Sequence, residues 1–374
     1  MNTSQQIPLA KPDIDEADVA AVQAVLADPD GRLALGPNLT RFEDALARVA
    51  GRKHAVAVNS GTSALHLIVR ALELGPGDEV ITTPFSFVAS TNCLLMEGVT
   101  PVFVDIEPRT LCIDTAQIEA AITPRTRAIL GVDVFGHPAD WPRIETVAEE
   151  LGLIVIEDSA EALGSRLNGK PCGRFGRAGV FAFYPNKQIT TGEGGAVITD
   201  DEKLAELCRS MADQGRGDGG WLSHVRLGYN YRLDEMSAAL GVSQLKRLDA
   251  LIAARARVAQ GYLETLADVD GIVLPTVADS VFMSWFVFVI RLADRFSRAD
   301  RDALLDRLRA QGIGCRNYFQ PLHLQPFIRE ALGTRPGQFP VTEAVSDRTV
   351  ALPFFPQMTD DQAQRVAEAL KASV

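Results

Sequence analysis

An alternation of short apolar runs with helical patterns restricts this chain more than any other feature. Five runs rich in apolar and β-branched residues, at 54–60, 79–86, 100–107, 127–136 and 153–160, are separated by stretches that include the helical periodicities 63–74 and 140–151. Parallel strands need a connection of a dozen or more residues, usually a helix, so this order predicts a mainly parallel sheet covered on both faces. The run Leu153-Ile154-Val155-Ile156 lacks polar alternation, as a strand buried on both sides requires. Two further strand-like runs, 179–185 and 195–200, follow a glycine-rich segment in which Asn168-Gly169 signals a hairpin turn.

Beyond this block the pattern changes. A helical stretch spans about 233–266, then come a strand-like run at 282–291, a helix over 298–311 and a last helix from Asp360. With 374 residues, the chain exceeds what one hydrophobic core serves well. We therefore expect two domains: a large α/β domain over 1–245 and a smaller α+β domain over 246–374.

Composition excludes several classes. The formal net charge of −11, with no basic stripe, argues against nucleic-acid binding. No apolar run reaches the length of a membrane span, and the first residues lack a signal-peptide pattern. Cys93, Cys112, Cys172, Cys208 and Cys315 are scattered without a CxxC pair, and no His/Cys/Asp cluster has metal-ligand spacing. These features read as free thiols in a soluble, cytoplasmic protein without a structural metal.

Open α/β sheets bind ligands at the carboxyl ends of their strands. Ser60-Gly61-Thr62-Ser63 follows the first strand and opens a helix, where free N–H groups and hydroxyls suit a phosphate; a plain helix N-cap has the same residues. Phe87 ends the second strand region and could stack on a flat ring or sit in the core. Asp158, closing an apolar strand, could hold a protonated pyridine nitrogen or cap a helix. Lys187, between a strand and the glycine turn 192–195, could form a Schiff base with an aldehyde or lie solvated on the surface. Each is ambiguous alone, but in this order they match the phosphate, ring, nitrogen and aldehyde of pyridoxal 5'-phosphate (PLP).

The segments NSGTSAL (59–65), PFSFVAS (84–90), EDSAEALGS (157–165), FYPNKQITTGEGG (183–195) and LGYNYRLDEMSAALG (227–241) together resemble the DegT/DnrJ/StrS family of nucleotide-sugar aminotransferases. The likeness runs from about Ala10 to the C-terminus. It implies a fold-type-I, aspartate-aminotransferase-like architecture and a homodimer with shared active sites. It further implies that Lys187 carries the Schiff base, Asp158 pairs with the pyridine nitrogen and Phe87 stacks on the ring. Gly61, Thr62 and Ser63 would receive the phosphate, with Asn230 reaching it from the partner subunit. Ala182 departs from the serine many members carry five residues before the lysine, which predicts one hydrogen bond fewer to the phosphate. The lysine itself distinguishes this chain from relatives that carry histidine there and dehydrate sugars.

The implied reaction passes an amino group from L-glutamate to a nucleotide-linked keto sugar, with Lys187 moving the proton. EDSAEALG and FYPNK are most similar to the branch of GDP-perosamine synthase and related 4-aminotransferases, which implies a 4-keto-6-deoxy substrate; a 3-keto sugar is the alternative. Glu161, Arg316, His323 and Arg226 are the expected substrate contacts, the last in a basic, glycine-rich segment that also holds Arg216 and Arg232 and reads as a lid. Two readings compete: a non-catalytic binding protein on the same fold, and a nicotinamide oxidoreductase, for which the first strand lacks GxGxxG.

Overall fold

The computed structural model describes residues 6–220 and 222–374. Nine strands belong to the first part of the chain: β1 (His54–Val58), β2 (Glu79–Thr82), β3 (Thr100–Phe103), β4 (Thr126–Val132), β5 (Ile154–Asp158), β6 (Arg166–Leu167), β7 (Lys170–Pro171), β8 (Ala178–Ala182) and β9 (Gly195–Thr199). Seven form one sheet in the order β1-β9-β8-β5-β4-β2-β3. The block from β8 through β3 is parallel, while β9 runs antiparallel to both its neighbours. Alternate residues of β1 divide between two cores: Val56 and Val58 pack on one side with Leu65 and Ile68, Ala55 and Ala57 on the other with Phe42 and Leu46. Coverage of both faces is thus written into the alternation of a single strand.

The remaining pair, β6 and β7, is the hairpin expected at Asn168-Gly169, whose φ values of 50° and 77° supply the left-handed turn. The C-terminal part adds β10 (Ile272–Val273), β11 (Val281–Phe282), β12 (Phe288–Leu292) and β13 (Thr349–Leu352). Strands β10, β12 and β13 form a small antiparallel sheet. Helices Leu248–Leu266, Arg298–Ala310 and Asp360–Lys371 share its core. Two links stitch the regions together. Strand β11 pairs with β6, and Ile7 pairs with Ile313 and is buried in the C-terminal core.

Two expectations need correction. The stretch 233–266 is two helices, Glu235–Leu245 and Leu248–Leu266, parted where Arg247 leaves helical geometry (φ −115°, ψ 16°). Its guanidinium is held there by Asp13 and Asp18, so tertiary ion pairs override a periodicity that reads as continuous. The run 282–291 is likewise not one strand: Trp285 takes a left-handed φ of 55° and separates β11 from β12. No helix among the described residues is long and apolar enough to cross a membrane.

Candidate active site

The loop after β8 turns tightly, with the Lys187 N–H donating to the Tyr184 carbonyl at 2.9 Å, and sends the lysine side chain inward. Its Nζ lies 3.5 Å from Glu161 Oε1 and 3.9 Å above the Phe286 ring, with the side chain 12% exposed. Burial disfavours the ammonium form and lowers the lysine below its ordinary value, against the pull of Glu161 and Asp158. This lowering favours the neutral amine, the form that acts as a nucleophile.

Asp158 ends β5 and accepts a hydrogen bond from the Ala160 N–H at 3.1 Å. Burial, with the charges of Glu161 and Asp133 added, pushes its carboxyl up to about 7, although Ala160 and Lys187 oppose this. Glu161 is raised for the same first reason and is restrained by Lys187 and by the Phe135 N–H, 2.9 Å from its Oε2. The Phe135 turn can reach it because Gly136, at φ 92°, lies where a Cβ would stand 3.0 Å from the Glu161 carbonyl and 3.3 Å from the Phe286 nitrogen.

At the end of β1 Ser60 caps the helix Gly61–Ala71, its Oγ accepting the Ser63 N–H at 3.0 Å. The N–H groups of Gly61 and Thr62 occupy the first turn, where a helix has no internal acceptor for them. A Cβ on Gly61 would come within 2.8 Å of the Ala182 Cβ, so glycine lets this turn press against the end of β8. The Ser63 hydroxyl donates to Asn59 Oδ1 at 2.7 Å, which commits its proton to the turn. Phe87 presents an exposed ring.

The other predicted residues are placed differently. The Asn230 carbonyl accepts from Asn59 of the same chain at 3.3 Å, and the residue is exposed. Arg226 is exposed and donates to Ser210 Oγ, while Arg216 and Arg232 both bind Asp213. Arg316 is exposed at a bridge to Ala351. His323 is sealed from solvent, its Nε2 3.0 Å from Glu343 Oε1 and its ring against Phe339, so it docks the 323 segment onto the helix Pro340–Ser346.

Several residues near the lysine escaped the sequence reading. Gln188 donates to the Glu161 carbonyl at 2.6 Å and to Ser284 Oγ at 2.9 Å. Tyr318, whose hydroxyl is raised by burial and by the Glu161 charge, stacks on Phe135. Behind Asp158, the ligand-type atoms of Asp133, Glu157 and Cys172 lie within 4.8 Å of one another. Asp133 accepts from the Ala139 N–H and the Trp141 indole, Glu157 from the Gly173 and Phe175 N–H groups, and the Ser159 hydroxyl lies between them and can donate to one of the two, as a hydrogen-bonded core requires.

The strand ends therefore complement PLP on the chemistry of their own groups. Lys187 can meet the aldehyde, Asp158 forms no ion pair at contact distance among the described residues and fits the pyridine nitrogen, and the Gly61 turn fits the phosphate. This combination, on a mainly parallel seven-stranded sheet, defines a fold-type-I PLP aminotransferase. Residues 12–371 match the DegT/DnrJ/EryC1/StrS aminotransferase family, and the chain belongs to it. It is 36% identical to the spore coat polysaccharide biosynthesis protein SpsC of Bacillus subtilis, over 98% of this chain and 96% of that protein. Among solved structures it is similar to S. venezuelae DesV in complex with a ketimine intermediate, at 36% identity, TM-score 0.91 and coverage of 99% and 98% of the two chains. Helicobacter pylori PseC, an aminotransferase involved in the biosynthesis of pseudoaminic acid, matches at 31% identity and TM-score 0.93, with 99% of each chain covered.

Proposed function

We propose that the protein is a sugar aminotransferase that passes the amino group of L-glutamate to C-4 of a nucleotide-linked 4-keto-6-deoxy sugar, giving a 4-amino-4,6-dideoxy sugar for polysaccharide assembly of the O-antigen kind. The observation that carries this reading is Glu161, 3.5 Å from Lys187 Nζ and part of the EDSAEALG segment that resembles the perosamine-synthase branch. The spore-coat polysaccharide role printed for SpsC and the pseudoaminic acid role printed for PseC support a carbohydrate acceptor.

PLP, when bound, supplies an electron sink that lets a C–H bond beside nitrogen ionise. The chain's own groups do the rest. Lys187 Nζ carries the proton between the donor or acceptor carbon and the cofactor carbon, and burial favours the neutral amine that this role needs. Asp158 holds the proton of the ring nitrogen. Gly61 and Thr62 hold the phosphate, Ser63 joins them when its hydroxyl turns from Asn59, Asn230 of a second copy in a homodimer reaches the same group, and Phe87 covers the ring. Glu161 orients the amine of Lys187 and meets the sugar, while Arg226, Arg316 and His323 line or support the nucleotide side. The five free, buried cysteines suit the cytoplasm.

The test is an assay of the purified protein with L-glutamate against nucleotide-linked 4-keto and 3-keto sugars. Amination of the 4-keto panel is expected. Turnover confined to the 3-keto panel would move the acceptor carbon, and turnover of neither would refute a sugar acceptor.

A further inference from the structure

Arg255 lies on the helix Leu248–Leu266 and is only 2% exposed. It shares the inward stripe of that helix with Leu251, Ile252, Val258 and Ala259, where an apolar residue would pack without cost. Burying a guanidinium there is expensive unless it is paired and hydrogen-bonded. Among the described residues no carboxylate forms an ion pair with it. Asp13 attracts it at a distance but is itself bonded to Arg247.

Four backbone carbonyls take that place. Nη2 donates to Lys187 O at 2.6 Å and to Asn186 O at 3.3 Å, and Nη1 to Phe286 O at 3.1 Å and Trp285 O at 3.3 Å. The first pair belongs to the loop that carries the lysine, the second to the segment between β11 and β12. Phe286 is also the residue whose ring lies 3.9 Å below Lys187 Nζ. One planar cation therefore holds the backbone of the lysine and the backbone of the surface it rests on.

We propose that Arg255 is a positioning residue for the catalytic lysine: by joining the Lys187 and Phe286 carbonyls across the seam between the two regions, it fixes Lys187 Nζ over the Phe286 ring and beside Glu161. The inference rests on reading Lys187 as the Schiff-base lysine. A guanidinium presents parallel donors on a rigid plane, which an ammonium cannot reproduce. Its charge acts as well, disfavouring the ammonium of Lys187, while Glu161 and Asp158 act the other way and Asp133 lies behind Asp158.

The experiment follows capture of PLP by the full-length chain freed of cofactor, read by visible absorbance from neutral to alkaline pH, in wild type, Arg255→Lys and Arg255→Met. Arg255→Lys keeps the charge and loses the fork, so capture should slow about tenfold or more with its pH midpoint unmoved. Arg255→Met loses both, so capture should slow and the midpoint should move to higher pH. An arginine that only stabilises the fold would lower thermal stability and leave capture within about twofold of wild type in the folded variants, and that result overturns the proposal. If Arg255→Met does not fold, Arg255→Lys decides alone by the same criterion. Borohydride reduction of the wild-type complex separates the two readings: label on another lysine removes the role of Lys187, whereas label on Lys187 with unslowed variants removes only that of Arg255.

Discussion

Glu157 and Asp158 are neighbours at the end of β5, both buried, and they face opposite sides of the sheet. Glu157 looks inward to a closed set of donors: the N–H groups of Gly173 and Phe175, each at 2.7 Å, and the Ser159 hydroxyl at 2.8 Å. The same hydroxyl reaches Asp133 at 2.6 Å, and Asp133 also receives the Ala139 N–H and the Trp141 indole. Burial and the neighbouring Asp133 hold Glu157 well above the usual carboxyl range, and the pair's hydrogen bonds to the surrounding loops make it scaffold. Asp158 looks to the mouth of the sheet, accepts from Ala160 and faces the Lys187 charge. A carboxylate closed off by backbone donors has nothing left to offer a ligand. One left with acceptor capacity beside a buried amine is the group that can do chemistry.

Removing Lys187 should have the largest effect. Lys187→Ala should cut transamination by about 10³-fold or more, because the proton-transferring group is gone, while circular dichroism stays native. Asp158→Asn comes next, with kcat falling about 10²-fold as the charge opposite the ring nitrogen is lost. Asp158 also predicts a pH dependence. Its folded value of about 7 exceeds the ordinary 3.8, so the native state retains a proton that the unfolded chain releases. Its contribution is complete below 3.8 and is lost as pH rises towards 7. Denaturation at about pH 5 and about pH 8 should show this loss without PLP, and less of it with PLP bound or in Asp158→Asn.

Glu157→Gln tests the other side of the strand. It should cost about 1–3 kcal/mol in denaturant melts, since an amide cannot accept at both positions where Glu157 accepts backbone N–H groups. Folded protein should keep its kcat, and a large loss of kcat would erase the distinction between the two carboxylates. The smallest effect belongs to Ala182→Ser beside the Gly61 turn. An added hydroxyl there should tighten PLP by about 1 kcal/mol, measured by equilibrium binding.

The sheet was legible because strand burial and crossover helices leave a long periodic signal between residues 54 and 160. The reversed direction of β9 was not, since nothing in GAVIT distinguishes a parallel from an antiparallel strand. Lys187, Asp158 and the Gly61 turn could be singled out as candidates because each follows or ends a strand, where the topology gathers side chains at one edge of the sheet. Arg255 was missed although its signal was present: an arginine on the apolar stripe of LIAARARVAQ, in register with Ile252 and Val258. Asp133 left a similar trace as the lone acid in GVDVFG, yet its partners come from residues 139, 141 and 159, and only the fold brings them together. Sealing of His323 against Glu343 depends in the same way on contacts that no local pattern encodes.

The most direct test of this account is reduction of the PLP-loaded protein with borohydride, followed by proteolysis and mass spectrometry of the labelled peptide. The pyridoxyl group should be on Lys187, within the peptide that follows β8. A label on any other lysine, or none with PLP bound, would contradict the assignment of the site.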